Sequence, residues 1–161
     1  MGSMSVVDVI KAISDDKSLV LFNTIALASG NADTLITTLK LTRKQYYSRM
    51  SGLVNAGLVT RKNGNYFVTS FGRILYDVQL MIGKAVESYW KLKALDSFQL
   101  SSSVSPQLPA EEYNRIIDTL MNGNDEIKNI VRKYYNKNDI TPTHKEKVYT
   151  QQLIPSRLSY E

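Results

Sequence analysis

The Asn63-Gly64 pair, placed between two short runs of strand-forming residues, is the feature that most restricts how this chain folds. Asn-Gly is the strongest short-range signal for a β-hairpin, because a type I′ turn needs positive φ at both central residues. Residues 58–62 and 66–69 contain the β-branched and aromatic residues that are typical of strands. The sequence therefore predicts a two-stranded antiparallel hairpin over residues 58–69.

A helix with a strong start signal precedes this hairpin. Thr42 and Gln45 have the spacing of a capping box, in which a hydroxyl and a side-chain amide satisfy free backbone N–H groups. Gly57 is the usual type of residue just beyond a helix end, so we expect a helix over about residues 42–55. Helical spacing places four apolar residues on its buried face: Tyr46, Met50, Leu53 and Val54.

Two shorter helices are predicted upstream of the capped helix. The carboxylates of Asp15 and Asp16 favour the positive start of the first helix, and Ser29-Gly30-Asn31 ends it. The second covers residues 32–39, where apolar side chains recur at helical spacing. The predicted order is therefore helix, helix, capped helix and hairpin.

The segment after the hairpin predicts one long helix from Phe71 to about Leu95, within a region of residues 71–98, capped by Thr69 or Ser70. Its apolar residues alternate spacings of four and three, as in a helix that packs lengthwise on a partner. One small domain can cover one stripe of such a helix but hardly two, so we expect a homodimer. The alternative is that the C-terminal segment folds back over the helix. The residues of this seam are Phe71, Leu75, Val78, Ile82, Ala85, Tyr89 and Leu92. A second apolar flank of the same helix consists of Ile74, Leu80, Met81, Val86, Trp90 and Leu95.

These elements predict a mainly α chain with a small β-hairpin, in the α+β class. The composition of the other segments indicates where they begin and end. Residues 1–14 are expected to be a leading segment, whose Met1-Gly2-Ser3 start looks like a cloning remnant. Residues 99–109, rich in Ser and Pro, predict a linker. Residues 110–137 predict a helical hairpin too small for its own core, which should dock on the long helix. Residues 138–161 predict a polar tail or arm.

Positive charge is concentrated around the capped helix and the hairpin. No Asp or Glu lies between Thr34 and Tyr76, whereas seven Lys and Arg residues do. Residues 1–95 hold 12 basic and 6 acidic residues, against 8 basic and 9 acidic in residues 96–161. On charge alone, this distribution permits a polyanionic partner for the first half of the chain without requiring one. The alternative is an ordinary solvated face.

The residue types present exclude several kinds of chemistry. The chain has no cysteine and one histidine, His144, which excludes thiol catalysis, thiolate metal sites and iron–sulfur clusters. Glu111 and Glu112 are best placed to favour a helix start rather than to act as an acid/base pair. No phosphate-binding loop or dinucleotide fingerprint is present. We therefore expect no enzyme, no cofactor, no metal site and, without a long apolar run, no membrane partner.

The order of elements resembles the winged helix-turn-helix of MarR, PadR and ArsR regulators, and is most similar to short archaeal members. The resemblance is carried by Leu41-Thr42, Tyr46, Met50, Leu53-Val54, Ala56-Gly57-Leu58-Val59, Arg61, Gly64, Tyr66, Thr69 and Gly72. It implies a cytoplasmic, nucleoid-associated transcription regulator that binds specific double-stranded DNA as a homodimer. Residues 15–70 would be the DNA-binding domain, with helix 42–55 in the major groove and hairpin 58–69 as the wing on the flanking backbone.

The expected DNA contacts lie on the exposed face of the capped helix, on the wing and at its positive rim. They are Lys40, Thr42, Arg43, Lys44, Gln45, Tyr47, Ser48, Arg49, Ser51, Arg61, Lys62, Asn63, Asn65 and Arg73. Lys and Gln can bond base edges, whereas the short wing suits phosphates. Two alternatives stay open, a protein–protein adaptor and a non-specific architectural DNA-binding protein, and the sequence leaves room for an unidentified small-molecule effector.

Overall fold

The structure, a computed structural model, describes residues 4–28, 32–101 and 109–135. These residues form helices and one two-stranded sheet, which confirms the mainly α, α+β class. The elements are α1 (Val6–Ala12), α2 (Asp16–Leu27), α3 (Ala32–Thr38), α4 (Arg43–Asn55), β1 (Val59–Lys62), β2 (Asn65–Val68), α5 (Ser70–Glu87), α6 (Tyr89–Ser101), α7 (Ala110–Leu120) and α8 (Asp125–Tyr135). The expected cloning remnant, the stop at 29–31, most of the linker and the tail at 138–161 lie outside the described residues.

The chain divides into two compact units, which comprise residues 4–78 and 79–135 of the described part. The first unit has a core built from α1 to α4 and the hairpin, centred on Leu21, Phe22, Tyr46 and Leu53, all at 0% exposure. The second unit has a separate core described below. Each unit therefore buries its own apolar residues.

The first helix, α1, was not anticipated within the leading segment 1–14. Ser5 and Asp8 form a capping box, since the Ser5 hydroxyl accepts from the Asp8 amide at 3.2 Å and the Asp8 carboxylate accepts from the Ser5 amide at 3.3 Å. Val9 is buried in the core of the first unit. Because α1 has seven residues and buries one of them, it offers no apolar repeat at helical spacing that the sequence could reveal.

The capped helix α4 begins as predicted. The backbone N–H of Gln45 donates to the Thr42 hydroxyl at 3.2 Å, and the backbone N–H of Thr42 donates to the side-chain oxygen of Gln45 at 3.0 Å. Three of the four predicted core residues are buried, but the prediction for Val54 was wrong, because its side chain is 38% exposed. Eight residues after Tyr46, the helical drift carries Val54 to the edge of the buried stripe.

Two helices end in the same left-handed turn. Lys40 after α3 has φ of 50°, and Gly57 after α4 has φ of 67°. The Leu41 amide donates to the Ile36 carbonyl at 3.0 Å, and the Leu58 amide makes the equivalent bond beyond α4 at 3.0 Å. Both turns are Schellman motifs, so the predicted position of Gly57 is confirmed. In the turn after α3 the left-handed position is occupied by Lys40, for which this backbone conformation is less favourable than for glycine.

The predicted hairpin is confirmed with slightly shifted strand ends. β1 and β2 pair antiparallel, from Val59 opposite Val68 to Lys62 opposite Asn65. The turn residues Asn63 and Gly64 have φ of 51° and 81°, which is the positive sign that the Asn-Gly pair predicted.

The junction between the hairpin and α5 is tight. Thr69, rather than Ser70, caps α5, because its hydroxyl accepts from the Gly72 amide at 2.9 Å and donates to the Gly57 carbonyl at 2.6 Å. A Cβ at Gly72 would lie 2.2 Å from the Leu58 carbonyl oxygen. The first turn of α5 therefore packs directly on the backbone that leads into β1.

The expectation of one uninterrupted helix over residues 71–98 needs correction. α5 ends at Glu87 and α6 begins at Tyr89, with a turn residue, Ser88, between them. The Ser88 side chain is buried and accepts from the Asn124 side chain at 3.4 Å, so a polar contact coincides with the interruption. α6 continues to Ser101, so residues 99–101 of the predicted linker are helical.

The second unit confirms that the C-terminal helical hairpin docks on the preceding helices. Leu95, Ile117, Met121, Ile127 and Val131 form its buried core. Three side chains of the predicted long helix pack against this core: Met81, Ala85 and Leu92. Two members of the expected dimer seam, Ala85 and Leu92, are therefore partly covered within the chain itself.

Candidate nucleic-acid interface

The exposed face of α4 brings together six of the fourteen predicted DNA-contacting residues. Tyr46, Met50 and Leu53 occupy the opposite, buried face. Among the six, the side chain of Tyr47 is 51% exposed. The exposed set comprises Arg43, Lys44, Gln45, Tyr47, Ser48 and Ser51. This face combines a long cation, an aromatic ring and hydroxyls on one rigid element.

A line of tyrosine rings connects α4 to the hairpin. The Tyr46 ring lies edge-on to Tyr47, with centroids 5.3 Å apart, and edge-on to Tyr66 of β2, at 6.4 Å. The Arg61 guanidinium carbon lies 5.7 Å from the centroid of the Tyr66 ring. Edge-to-face rings and a cation over a ring are both attractive geometries. Tyr47 and Arg61 are therefore positioned from opposite ends of one packed aromatic group.

The hydroxyl of Tyr46 lies inside this aromatic group. It is buried and makes no hydrogen bond among the described residues. Burial, with smaller contributions from the neighbouring Tyr66 and Tyr47, raises the pKa of Tyr46 to about 12, against an opposing effect of Arg61. The phenol is therefore neutral at physiological pH and serves packing, not charge.

The ion pair of Arg49 holds this predicted contact residue away from the rest of the site. Its Nε and Nη2 atoms donate to the same carboxylate oxygen of Asp15, at 3.3 and 3.2 Å. Asp15 also caps α2 by accepting from the Ser18 amide at 3.1 Å. Hydrogen bonds from Ser18, aided by Arg49, hold the pKa of Asp15 below its usual value. Arg49 therefore joins α4 to α2, and its charge is already compensated.

The predicted cations differ in how far their charge is compensated. Arg43 lies 3.7 Å from Asp33, but both side chains are about 80% exposed, so the pair is weak. Within the described part of the chain, no carboxylate pairs with the five others: Lys40, Lys44, Arg61, Lys62 and Arg73. They lie in the α3–α4 turn, on α4, on β1 and in the first turn of α5.

The two faces of the hairpin carry different side chains. Alternation along the paired strands puts Arg61 opposite Tyr66 on the face toward the core. Lys62 is opposite Asn65 on the outer face, which also carries Thr60 and Phe67. Arg61 and Lys62 were grouped by sequence as equivalent backbone contacts, but they project from opposite faces.

Two residues that sequence reasoning missed lie in this region. Phe67 is 40% exposed on the outer face of the hairpin. Because successive side chains of a strand point to opposite faces, the expected burial of Tyr66 could have predicted this position for Phe67. Gly52 lies inside α4, and a Cβ there would meet no atom within 4 Å. Because glycine weakens a helix and no packing here requires it, Gly52 leaves room for an external group to approach α4.

The predicted dimer seam is divided by the packing of the chain. Leu75 packs on the core of the first unit, and Ala85 and Leu92 pack on that of the second. The other seam residues stay exposed: Phe71, Val78, Ile82 and Tyr89. In the second unit Val86 and Trp90 are exposed as well, with Trp90 at 73% exposure and its ring 5.2 Å from Tyr89. Within the described part of the second unit, Ile82, Val86, Tyr89 and Trp90 are therefore apolar side chains that the packing leaves exposed.

The described residues contain no cluster of His, Cys, Asp and Glu that could hold a metal ion. None of their helices combines the length and apolar character required to cross a bilayer. Comparisons of the chain with models of protein families, with curated proteins and with solved structures find no match.

Proposed function

We propose that this chain is a winged helix-turn-helix protein that binds specific double-stranded DNA as a homodimer and regulates transcription. The observation that carries the proposal is the exposed face of α4, where Lys44, Tyr47 and Ser48 project from a capped helix. The stretch between Thr34 and Tyr76 contains no acid, and its cations Lys40, Lys44 and Arg61 pair with no carboxylate among the described residues. Such a surface matches the polyanionic DNA backbone. In this proposal the chain binds and does not catalyse.

In the proposed complex α4 is the recognition helix. The major groove of B-DNA is about 12 Å wide and admits one helix. Lys44 would donate to guanine O6 and N7, and Tyr47 and Ser48 would contact base edges or phosphate. Gln45 has its side-chain oxygen engaged by the Thr42 amide, so its free NH₂ group would be the contact. Base edges would thus be met mainly by the first two turns of α4.

The hairpin would act as the wing. Lys62 carries an uncompensated charge beside the turn at Asn63 and Gly64, where it would contact phosphates. Arg61 would reach the backbone from the other face, beside the aromatic group that also holds Tyr47. Phosphate contacts give affinity and register, whereas α4 gives the sequence preference.

The proposed dimer uses the exposed apolar side chains that α5 and α6 carry in the second unit. Ile82, Val86 and Trp90 recur every four residues and are all exposed, as in a ridge that packs on another helix. Residues 70–101 carry four basic and three acidic side chains, so two copies meet there with little repulsion. A twofold axis would present two α4 helices to half-sites about one helical turn apart.

Selection of bound duplexes from random DNA tests the proposal directly. A two-part motif with half-sites about 10 base pairs apart is the expected result. No enrichment by the folded protein would contradict DNA binding and favour a protein adaptor. A diffuse preference would contradict a regulator and favour an architectural protein, and a single half-site would contradict the dimer.

Matched variants separate base contact from general charge. Lys44→Ala and Tyr47→Ala are expected to weaken binding to the selected site by about 1–3 kcal/mol while binding to random DNA changes less. Lys17→Ala removes the same charge from an exposed position on α2, outside the acid-free stretch, and is the control. Equal effects of Lys44→Ala and Lys17→Ala on specific binding would refute the role of α4.

Sedimentation tests the dimer with its own control. Ile82→Asp is expected to convert the dimer to an 18 kDa monomer, since it places a charge in the proposed interface. Ile10→Asp is similarly exposed on α1 and should leave the dimer intact. A parent protein that is monomeric at micromolar concentration would refute this part of the proposal.

A further inference from the structure

The outer face of the hairpin carries a set of side chains that the fold does not use. Thr60, Lys62, Asn65 and Phe67 are all exposed there. The opposite face supplies the packing, since Tyr66 is buried against Tyr46. The Phe67 ring takes no part in the apolar core of the first unit. The Phe67 ring is therefore accessible to a group outside the chain.

Three of these side chains, together with Asn63 of the turn, line a shallow depression. Its volume is about 400 Å³, and its walls are Lys62, Asn63, Asn65 and Phe67. This volume lies within the range of sites that hold small ligands or single groups of larger ones. The depression lies beside the hairpin turn, so it opens next to the phosphate contacts proposed for the wing.

The chemistry of the four walls matches a nucleobase with its phosphate. An aromatic ring offers a stacking surface for any base. The Asn63 and Asn65 carboxamides can each donate and accept, which suits a base edge, and Lys62 can bind a phosphate. Both faces of a base in a duplex are already stacked on neighbouring bases. The group that fits Phe67 is therefore an unpaired base.

We propose that the outer face of the hairpin binds an unstacked base from a single-stranded segment that adjoins the duplex held by α4. The duplex part of this inference rests on the proposed function. Charge favours a nucleic acid over an acid-poor peptide, because Lys62 pairs with no carboxylate of the described residues and lies within the stretch from Thr34 to Tyr76 that has no acid. The chain would thus prefer tailed or locally opened DNA to a closed duplex.

Fluorescence anisotropy with two sets of probes tests this inference. One set is a duplex carrying the selected site, blunt or with a five-nucleotide single-stranded tail; the other is a single-stranded oligonucleotide alone. The parent protein is expected to bind the tailed duplex at least fivefold more tightly than the blunt one. A 2-aminopurine in the tail should lose fluorescence on binding, since it stacks on a ring.

Phe67→Ala is the decisive variant. It should remove the advantage of the tail and leave affinity for the blunt duplex within twofold, while Phe67→Trp should retain the advantage. Phe98→Ala truncates an equally exposed phenylalanine on α6 and should change neither value. Melting curves of the variants should coincide with that of the parent, because the Phe67 ring is outside the core.

Each contrary result has a distinct meaning. Equal affinity of the parent for tailed and blunt duplexes would overturn the inference and leave the proposed function intact. A tail effect that survives Phe67→Ala and disappears in Lys62→Ala would be electrostatic only and would also overturn it. Failure to bind any duplex would refute the proposed function. In that case, binding of the single-stranded oligonucleotide that is lost in Phe67→Ala would still support the base site on the hairpin, and no such binding would overturn that site as well.

Discussion

Replacing Gly72 with alanine tests the tight junction between α5 and the hairpin. The added Cβ would lie 2.2 Å from the Leu58 carbonyl oxygen and 2.8 Å from a methyl carbon of Val68. The first contact is with backbone, so no side-chain rotation relieves it. The Leu58 carbonyl also accepts from the Thr69 amide at 3.0 Å, which means that any shift of α5 strains this hydrogen bond as well. We therefore expect Gly72→Ala to be strongly destabilising.

The magnitude follows from three opposing contributions. Overpacking costs about 3 kcal/mol at the upper end of its usual range, which applies to a clash with backbone. Weakening one hydrogen bond of the Leu58 carbonyl costs about 1 kcal/mol. Alanine stabilises a helix interior by about 1 kcal/mol relative to glycine. The net loss is about 3 kcal/mol, or a decrease in Tm of about 6–12 °C for a chain of this size.

Gly83 provides the matched control on the same helix. A Cβ at Gly83 would meet no atom within 4 Å, so Gly83→Ala should gain up to about 1 kcal/mol and raise Tm by a few degrees. Thermal unfolding followed by circular dichroism measures both variants. Shifts of the same sign, or a Gly72→Ala protein as stable as the parent, would refute the close approach of α5 to Leu58.

Three further predictions concern single side chains. Lys40→Gly should stabilise the protein by about 1 kcal/mol, because the left-handed turn costs a lysine more than a glycine, whereas Lys44→Gly inside α4 should destabilise it by a similar amount; chemical denaturation measures both. The lowered pKa of Asp15 means that its charge stabilises the fold above its usual pKa and that this contribution is lost as pH falls through the lowered value. Asp15→Asn keeps a capping side chain, so its Tm deficit should be present at pH 7 and shrink toward pH 3. Lys62→Ala should reduce the salt dependence of DNA binding by about 0.9 per chain without lowering Tm, while Arg61→Ala should also lower Tm by loosening Tyr66; identical Tm values would contradict the two-faced hairpin.

Local signals in the sequence were enough to predict α2 to β2 of the first unit, although α1 was missed. The capping box at Thr42, the turn at Asn63-Gly64 and the helix end at Gly57 each depend on residues within a few positions of one another. Such signals act through backbone geometry that the neighbouring residues alone determine. This is why the order and limits of α2 to β2 agree with the structure to within one or two residues.

The second unit was harder to predict because its packing depends on distant residues. Heptad spacing identified an apolar surface on α5 and α6, but it could not say which part the chain covers itself. Ala85 and Leu92 pack on the core that contains Ile117 and Met121, whereas Ile82 stays exposed. The interruption at Ser88 likewise coincides with a contact to Asn124, thirty-six residues away. No local pattern reports such contacts.

The candidate interface shows how strand register divides residues that the sequence places side by side. Arg61 and Lys62 are adjacent cations with equal expected roles, yet pairing with Tyr66 and Asn65 sends them to opposite faces. Arg61 lies over the Tyr66 ring of the aromatic group, so we expect its loss to affect stability as well as the proposed binding. Among the described residues Lys62 makes no such contact, so we expect its loss to affect the proposed binding alone. Strand register, which a count of charges does not contain, therefore predicts different roles for two adjacent cations.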